Sequence, residues 1–163
     1  GIDLYWDKTY QTEQIHAFQT QVEWAIEFNL PVIIHVRNSH NETIQALKPY
    51  SGKGLKGIFH CFGGTPEEAD EIFSLGDFKL GIGGVVTFKN SGLADSLMHI
   101  PLEKLVLETD SPYLTPAPFR GKRNESSYLR YVAVRLAEIY NVSQDEVDRI
   151  TTESTCSVFS GLK

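Results

Sequence analysis

Apolar positions in the early part of the chain recur with the period of a helix. Ile15, Phe18, Val22, Ala25 and Ile26 share one face and predict a helix over about 12–28, ended at Asn29. The pattern then changes. "PVIIHVR", opening at Pro31, is a β-branched run of the kind buried on both faces in a parallel sheet. A helix over about 41–49 follows, stopped by Pro49 with Gly52 and Gly54, and then "LKGIFH", a second short strand. "TPEE" is a helix start: Thr65 caps, Pro66 takes the first turn and Glu68 completes a capping box. Ala69, Ile72 and Phe73 mark its core face, and Gly76 follows it. "FKLGIGG" is the next strand, its exit loosened by Gly81, Gly83 and Gly84, before a weaker helix over about 91–99. "KLVLET" is the last strand. A loop over 111–125 with Pro112, Pro116 and Pro118 leads to a helix over about 126–140, with Val132, Leu136 and Ile139 on one face. "SQDE", Ser143 to Glu146, is a second capping box. Strand and helix alternate throughout, which predicts parallel strands with right-handed crossovers. No repeat or linker interrupts the chain, so one domain is expected over 1–163.

Composition narrows the function. The net charge is −6, which argues against broad adhesion to nucleic acid or anionic membrane but leaves one local phosphate site open. No apolar run reaches the ~18 residues of a membrane span. No leader pattern is visible at the start. Cys61 and Cys156 stand far apart, outside any disulfide or zinc-knuckle spacing, as expected of a cytoplasmic protein.

The candidate chemistry lies at the strand ends. In a (β/α)8 barrel, reactions run at the carboxyl ends of the strands. Here "IIHVR", "IFHCF" and "LETDSP" place His35, His60 and Asp110 at those ends. Imidazole with carboxylate suits Zn, Mn or other divalent ions. A lone histidine in such a place is more often a satisfied core or loop residue; three strand ends together raise a metal site level with that plainer reading.

These stretches also carry a resemblance. "PVIIHVR", "GIFHCFGG" and "LETDSPYLTP", followed in order by "RGKRNE" and "TTESTCSVF", are similar to the signatures of the TatD family of metal-dependent deoxyribonucleases. That family belongs to the amidohydrolase-like group of TIM-barrel metallohydrolases. The resemblance implies an α/β chain, metal-activated hydrolysis of DNA phosphodiesters, and two divalent ions (Zn, Mg or Mn) in the intact protein. It implies that His35 and His60 hold one ion. Asp110 is implied to be a ligand of the other and to orient or deprotonate the attacking water.

The chain also departs from the family pattern. "GIDLY" resembles the tail of the motif G-E-x-G-[LI]-D-[YF], whose glutamate would fall before Gly1, and the H-x-H pair of the first barrel strand would lie further upstream. Neither is among the 163 residues. Five strands are expected against the eight of a family barrel of roughly 250 residues. The expected fold is therefore an incomplete (β/α)8 TIM barrel, the last five strand-helix units, with open edges. The remaining segment is expected to be cleaved but bound, absent, or replaced by a second chain, and the 163-residue chain alone is expected to be inactive.

Other residues complete the expected site. Arg37 shares the strand face of His35 and could bind a phosphate, or pair with a carboxylate. Arg120, Lys122 and Arg123 are the densest basic cluster, and the resemblance favours substrate contact by Arg123 and Asn124. Glu108 and Asp3 read as partners standing behind the ligands, or as members of buried ion pairs. Cys61 is expected to point into the helix layer, and His16, His40 and His99 to have no catalytic role. Two rival functions remain: a related amidohydrolase acting on amide or cyclic small-molecule substrates, and a non-catalytic fragment.

Overall fold

The structure is a computed structural model and describes residues 1–159. Five parallel strands lie side by side in chain order: β1 (Ile2–Asp3), β2 (Val32–Arg37), β3 (Lys56–His60), β4 (Asp77–Ile82) and β5 (Leu105–Leu107). Helices α1 (Gln11–Glu27), α2 (His40–Leu47), α3 (Pro66–Leu75) and α4 (Leu93–Leu97) connect them, and α5 (Leu129–Tyr140) and α6 (Gln144–Val158) follow. Among the described residues, no helix is long and apolar enough to cross a membrane.

Alternation along the strands sorts side chains to two faces. Ile34, Phe59, Phe78, Leu80, Ile82 and Leu105 are buried toward the helices. They meet Phe18 and Val22 of α1, Leu47 of α2, Ala69 and Ile72 of α3, and Leu136 of α5 in the main core. Each such large side chain contributes about 1.5–3 kcal/mol when taken from water. The opposite face of β2 carries Ile33, His35 and Arg37, and Ile33 there is 64% exposed. Further along that face Ile58 of β3 and Val106 of β5 pack with Val158 at the end of α6.

Local chemistry sets the element ends. Asn29 closes α1 with φ of 52°, a conformation that asparagine tolerates better than most residues. The Thr65 capping box forms in both directions. The Ser143 one forms by half: the hydroxyl accepts from the Glu146 amide, while the Glu146 carboxylate is drawn to Arg149 at 2.8 Å. The expected helix over 91–99 shrinks to the five residues of α4, entered through Gly92 at φ of 70°.

Candidate metal centre

The β2–β3 register pairs His35 with His60, and the β1–β2 register pairs Asp3 with Arg37. These pairings bring residues from distant parts of the chain to one end of the sheet. The His35 and His60 rings lie 6.2 Å apart between centroids. Asp3 Oδ2 is 3.1 Å from His35 Nε2, and Asp3 Oδ1 accepts the Tyr5 amide at 3.0 Å. The Tyr5 amide, assisted by His35, holds the Asp3 carboxyl below the usual carboxylate range.

His60 is gripped from both sides. Its Nδ1 is 2.9 Å from Glu108 Oε1, and its Nε2 faces Asp110 Oδ1 at 3.4 Å. Glu108 continues the β5 ladder, its amide donating to the Ile82 carbonyl at 3.1 Å, so its side chain returns to the face that carries His60. The same Oε1 accepts the Cys61 amide at 2.6 Å. Burial pushes the Glu108 carboxyl above its ordinary range, opposed by His60 and the Cys61 amide. Gly81 makes room for it: a Cβ there would run into the Glu108 carboxylate. That close approach, rather than a loosened strand exit, is the role of Gly81.

Three residues at the strand ends turn through the left-handed region. Asn38, Cys61 and Asp110 each have φ of 52°. For Asn38 and Asp110 this is ordinary turn chemistry; for Cys61 it is a strained position of the kind held in place at functional sites. Cys61 thus ends the strand in a turn rather than continuing it. It lines a cleft of about 560 Å³ between the β2–α2 and β3–α3 loops, together with His60, Arg37 and Glu68. Burial, with Glu108 and Asp110 nearby, pushes its thiol up to about 11.

Imidazole beside carboxylate is the donor chemistry that divalent cations take. Glu108 on Nδ1 of His60 leaves Nε2 as the outward nitrogen, beside a carboxylate oxygen, and His35 presents an imidazole with its own carboxylate. Among the described residues, no three His, Cys, Asp or Glu side chains converge on one point; the donors stand as the pairs His35–Asp3 and His60–Asp110.

The remaining expected residues divide. The Arg37 guanidinium lies 3.8 Å above the Tyr5 ring and makes no salt bridge among the described residues, though its charge helps lower the Asp3 carboxyl. Arg123 is exposed in the loop after β5, again with no ion pair among the described residues. Asn124 is 2% exposed and turned inward, which corrects the expectation of substrate contact by its side chain. Its amide donates to the Thr109 and Tyr113 carbonyls at 2.7 Å each, and its side-chain oxygen accepts the Glu125 amide at 2.9 Å. That residue staples the loop that carries Asp110. His40 lies 2.9 Å from Glu71, away from the donor pairs.

A parallel α/β sheet with imidazoles and carboxylates at the carboxyl ends of its strands is part of a TIM-barrel architecture. The model of the family described as TatD related DNase matches residues 1–160, and the chain belongs to the TatD family. It is 42% identical over 160 residues to the uncharacterized metal-dependent hydrolase YabD of Bacillus subtilis, spanning 98% of this chain and 62% of that protein. It is 34% identical over 165 residues to a protein of Pectobacterium parmentieri named 3′-5′ ssDNA/RNA exonuclease TatD, with 98% and 63% covered. The crystal structure of YjjV, a TatD homologue from Escherichia coli, superposes with a TM-score of 0.89 at 29% identity, over 97% of this chain and 61% of that one. The chain thus spans about three-fifths of the length of these relatives.

Proposed function

We propose that the intact protein hydrolyses phosphodiester bonds of DNA at this end of the sheet with the help of divalent ions. The observation that carries the reading is the clamp on His60: Glu108 on Nδ1, Asp110 facing Nε2, and His35 alongside in register. His35 and His60 would hold one ion and Asp110 a second. Bound ions there would supply an activated water near neutral pH and offset phosphate charge. Glu108 fixes the His60 ring, and the Asp110 carboxylate would take up a proton from the attacking water. Arg37 and Arg123 are the cations at hand for phosphate oxygens. That the Pectobacterium relative is named an exonuclease supports a nucleic-acid substrate, and the basic cluster from Arg120 to Arg123 favours phosphate over an amide or cyclic substrate.

The test uses the full-length protein, with Mg, Mn and Zn supplied in turn, on DNA and on a dihydropyrimidinase-type substrate panel. DNA hydrolysis that falls by orders of magnitude in His35→Ala and Asp110→Ala, with the fold retained, is the expected result. Wild-type turnover in either variant, or activity confined to the amide panel, overturns the reading.

A further inference from the structure

Beside the donor pairs, the turn after β1 presents two aromatic rings that no core absorbs. Trp6 is 82% exposed and Tyr5 48%. They are not splayed at random: the rings meet edge to face, with centroids 4.7 Å apart and planes at 87°. Arg37 covers the assembly, 3.8 Å from the Tyr5 centroid and 5.9 Å from that of Trp6. The turn is also tied to the candidate centre, because the Asp3 carboxylate that touches His35 accepts the Tyr5 amide.

We propose that Trp6, supported by Tyr5 and Arg37, is a stacking platform for an unpaired base of the substrate strand, next to the phosphate that enters the His35–Asp3 end of the site. The inference rests on the phosphodiesterase reading above and adds to it a residue that holds the base beside the reacting phosphate. Three observations select this occupant. The cation over the rings makes no salt bridge among the described residues; only the Asp3 carboxylate, in register with it, feels its charge, so its N–H donors are available to an anionic partner. Aromatic rings interleaved with a free guanidinium are the combination that binds bases and backbone together. Arg37 lies two residues beyond His35 on the same strand face, which puts a phosphate on Arg37 beside the candidate centre. A base inside a duplex is already stacked on both faces and cannot offer one to Trp6, so the platform selects unpaired ends or single strands.

The test compares the intact protein with its Trp6→Ala and Trp6→Phe variants on three DNA substrates. These are a single strand, the same strand in a blunt duplex, and the same strand made abasic over its terminal positions. Trp6→Ala is expected to lower kcat/KM on the single strand about 5- to 150-fold, the range for loss of one stacked base, and Trp6→Phe to keep most of the activity. On the abasic strand the difference between wild type and Trp6→Ala should collapse. Equal kcat/KM of Trp6→Ala and wild type on the single strand overturns the platform while leaving the hydrolase reading intact. An equally large deficit on the abasic strand overturns it as well, by showing a structural role. A Trp6→Ala protein that changes only its oligomeric state in sedimentation assigns the ring to a protein contact and overturns it too. If wild type cleaves none of the strands, the phosphodiesterase reading itself fails, and the platform with it.

Discussion

Glu108 holds His60 through the ring nitrogen that points away from Asp110, and it does so with the same oxygen that accepts the Cys61 amide. One half-buried carboxylate thus sets both the tautomer of the imidazole and the turn that ends β3. Glu108→Gln in the intact protein is expected to weaken divalent-metal affinity by about 10- to 100-fold, as for loss of other partners behind a metal-binding histidine. Calorimetric titration with Mn or Zn measures it, and unchanged affinity would show that the ring needs no such partner.

Gly81 is expected to behave as part of the same unit. A Cβ at that position forces the Glu108 carboxylate out of place. Gly81→Ala should therefore weaken metal binding in the same direction as Glu108→Gln, and the double variant should be no worse than the poorer single one. Additive losses in the same titration would separate the two residues.

Asn124 and Arg123 are neighbours with opposite expected phenotypes. Asn124→Ala removes a buried amide and leaves the Thr109 and Tyr113 carbonyls without their donor. Its cost is expected at about 1–3 kcal/mol in a denaturant titration. Arg123→Ala changes an exposed side chain and should alter stability by no more than ~0.5 kcal/mol while raising KM on DNA.

Tyr140 gives the fold a pH dependence. Its hydroxyl donates to the Leu97 and Ile100 carbonyls at 2.8 and 2.7 Å, closing the α4 end against α5. Burial, with the Glu103 carboxylate adding to it, raises the phenol above its ordinary range. The folded state therefore favours the protonated form. Its contribution is complete below the unfolded value of about 10 and is lost as pH rises beyond it. Thermal melts from pH 8 upward should show stability falling above about pH 10. Tyr140→Phe should be less stable at neutral pH, by about 1–3 kcal/mol, with a shallower alkaline decline.

Much of this was legible in the sequence, for identifiable reasons. Short apolar runs alternating with helical patterning gave the parallel strands, although β2 keeps one face open, with Ile33 64% exposed, where a run buried on both faces was expected. The same runs led to His35, His60 and Asp110, with Glu108 behind the last, so those residues were singled out before any contact was known. Asn124 read as a surface loop residue, since a polar side chain folding back on its own loop leaves no periodic trace. The Cys61 amide escaped notice because backbone donors have no residue code, and its positive φ leaves no trace in the residue pattern. The second capping box failed by half because Arg149, one turn on, competes for Glu146. Trp6 stood in plain view beside Asp3, but only its exposure and the ring geometry gave it a role.

The pairing of His35 with His60 has a consequence for chain length. Because side chains alternate along a strand, removing one residue between Val32 and His35 would slip β2 by one step against β3. His35 and Arg37 would then turn into the helix layer, and Ile34 would face the open side. Substitutions along β2 remove one group at a time; a deletion there inverts the whole face at once. The exposed turn from Ser51 to Gly54, ahead of the buried Leu55 that leads into β3, is where the chain could vary in length and leave both histidines aimed as they are.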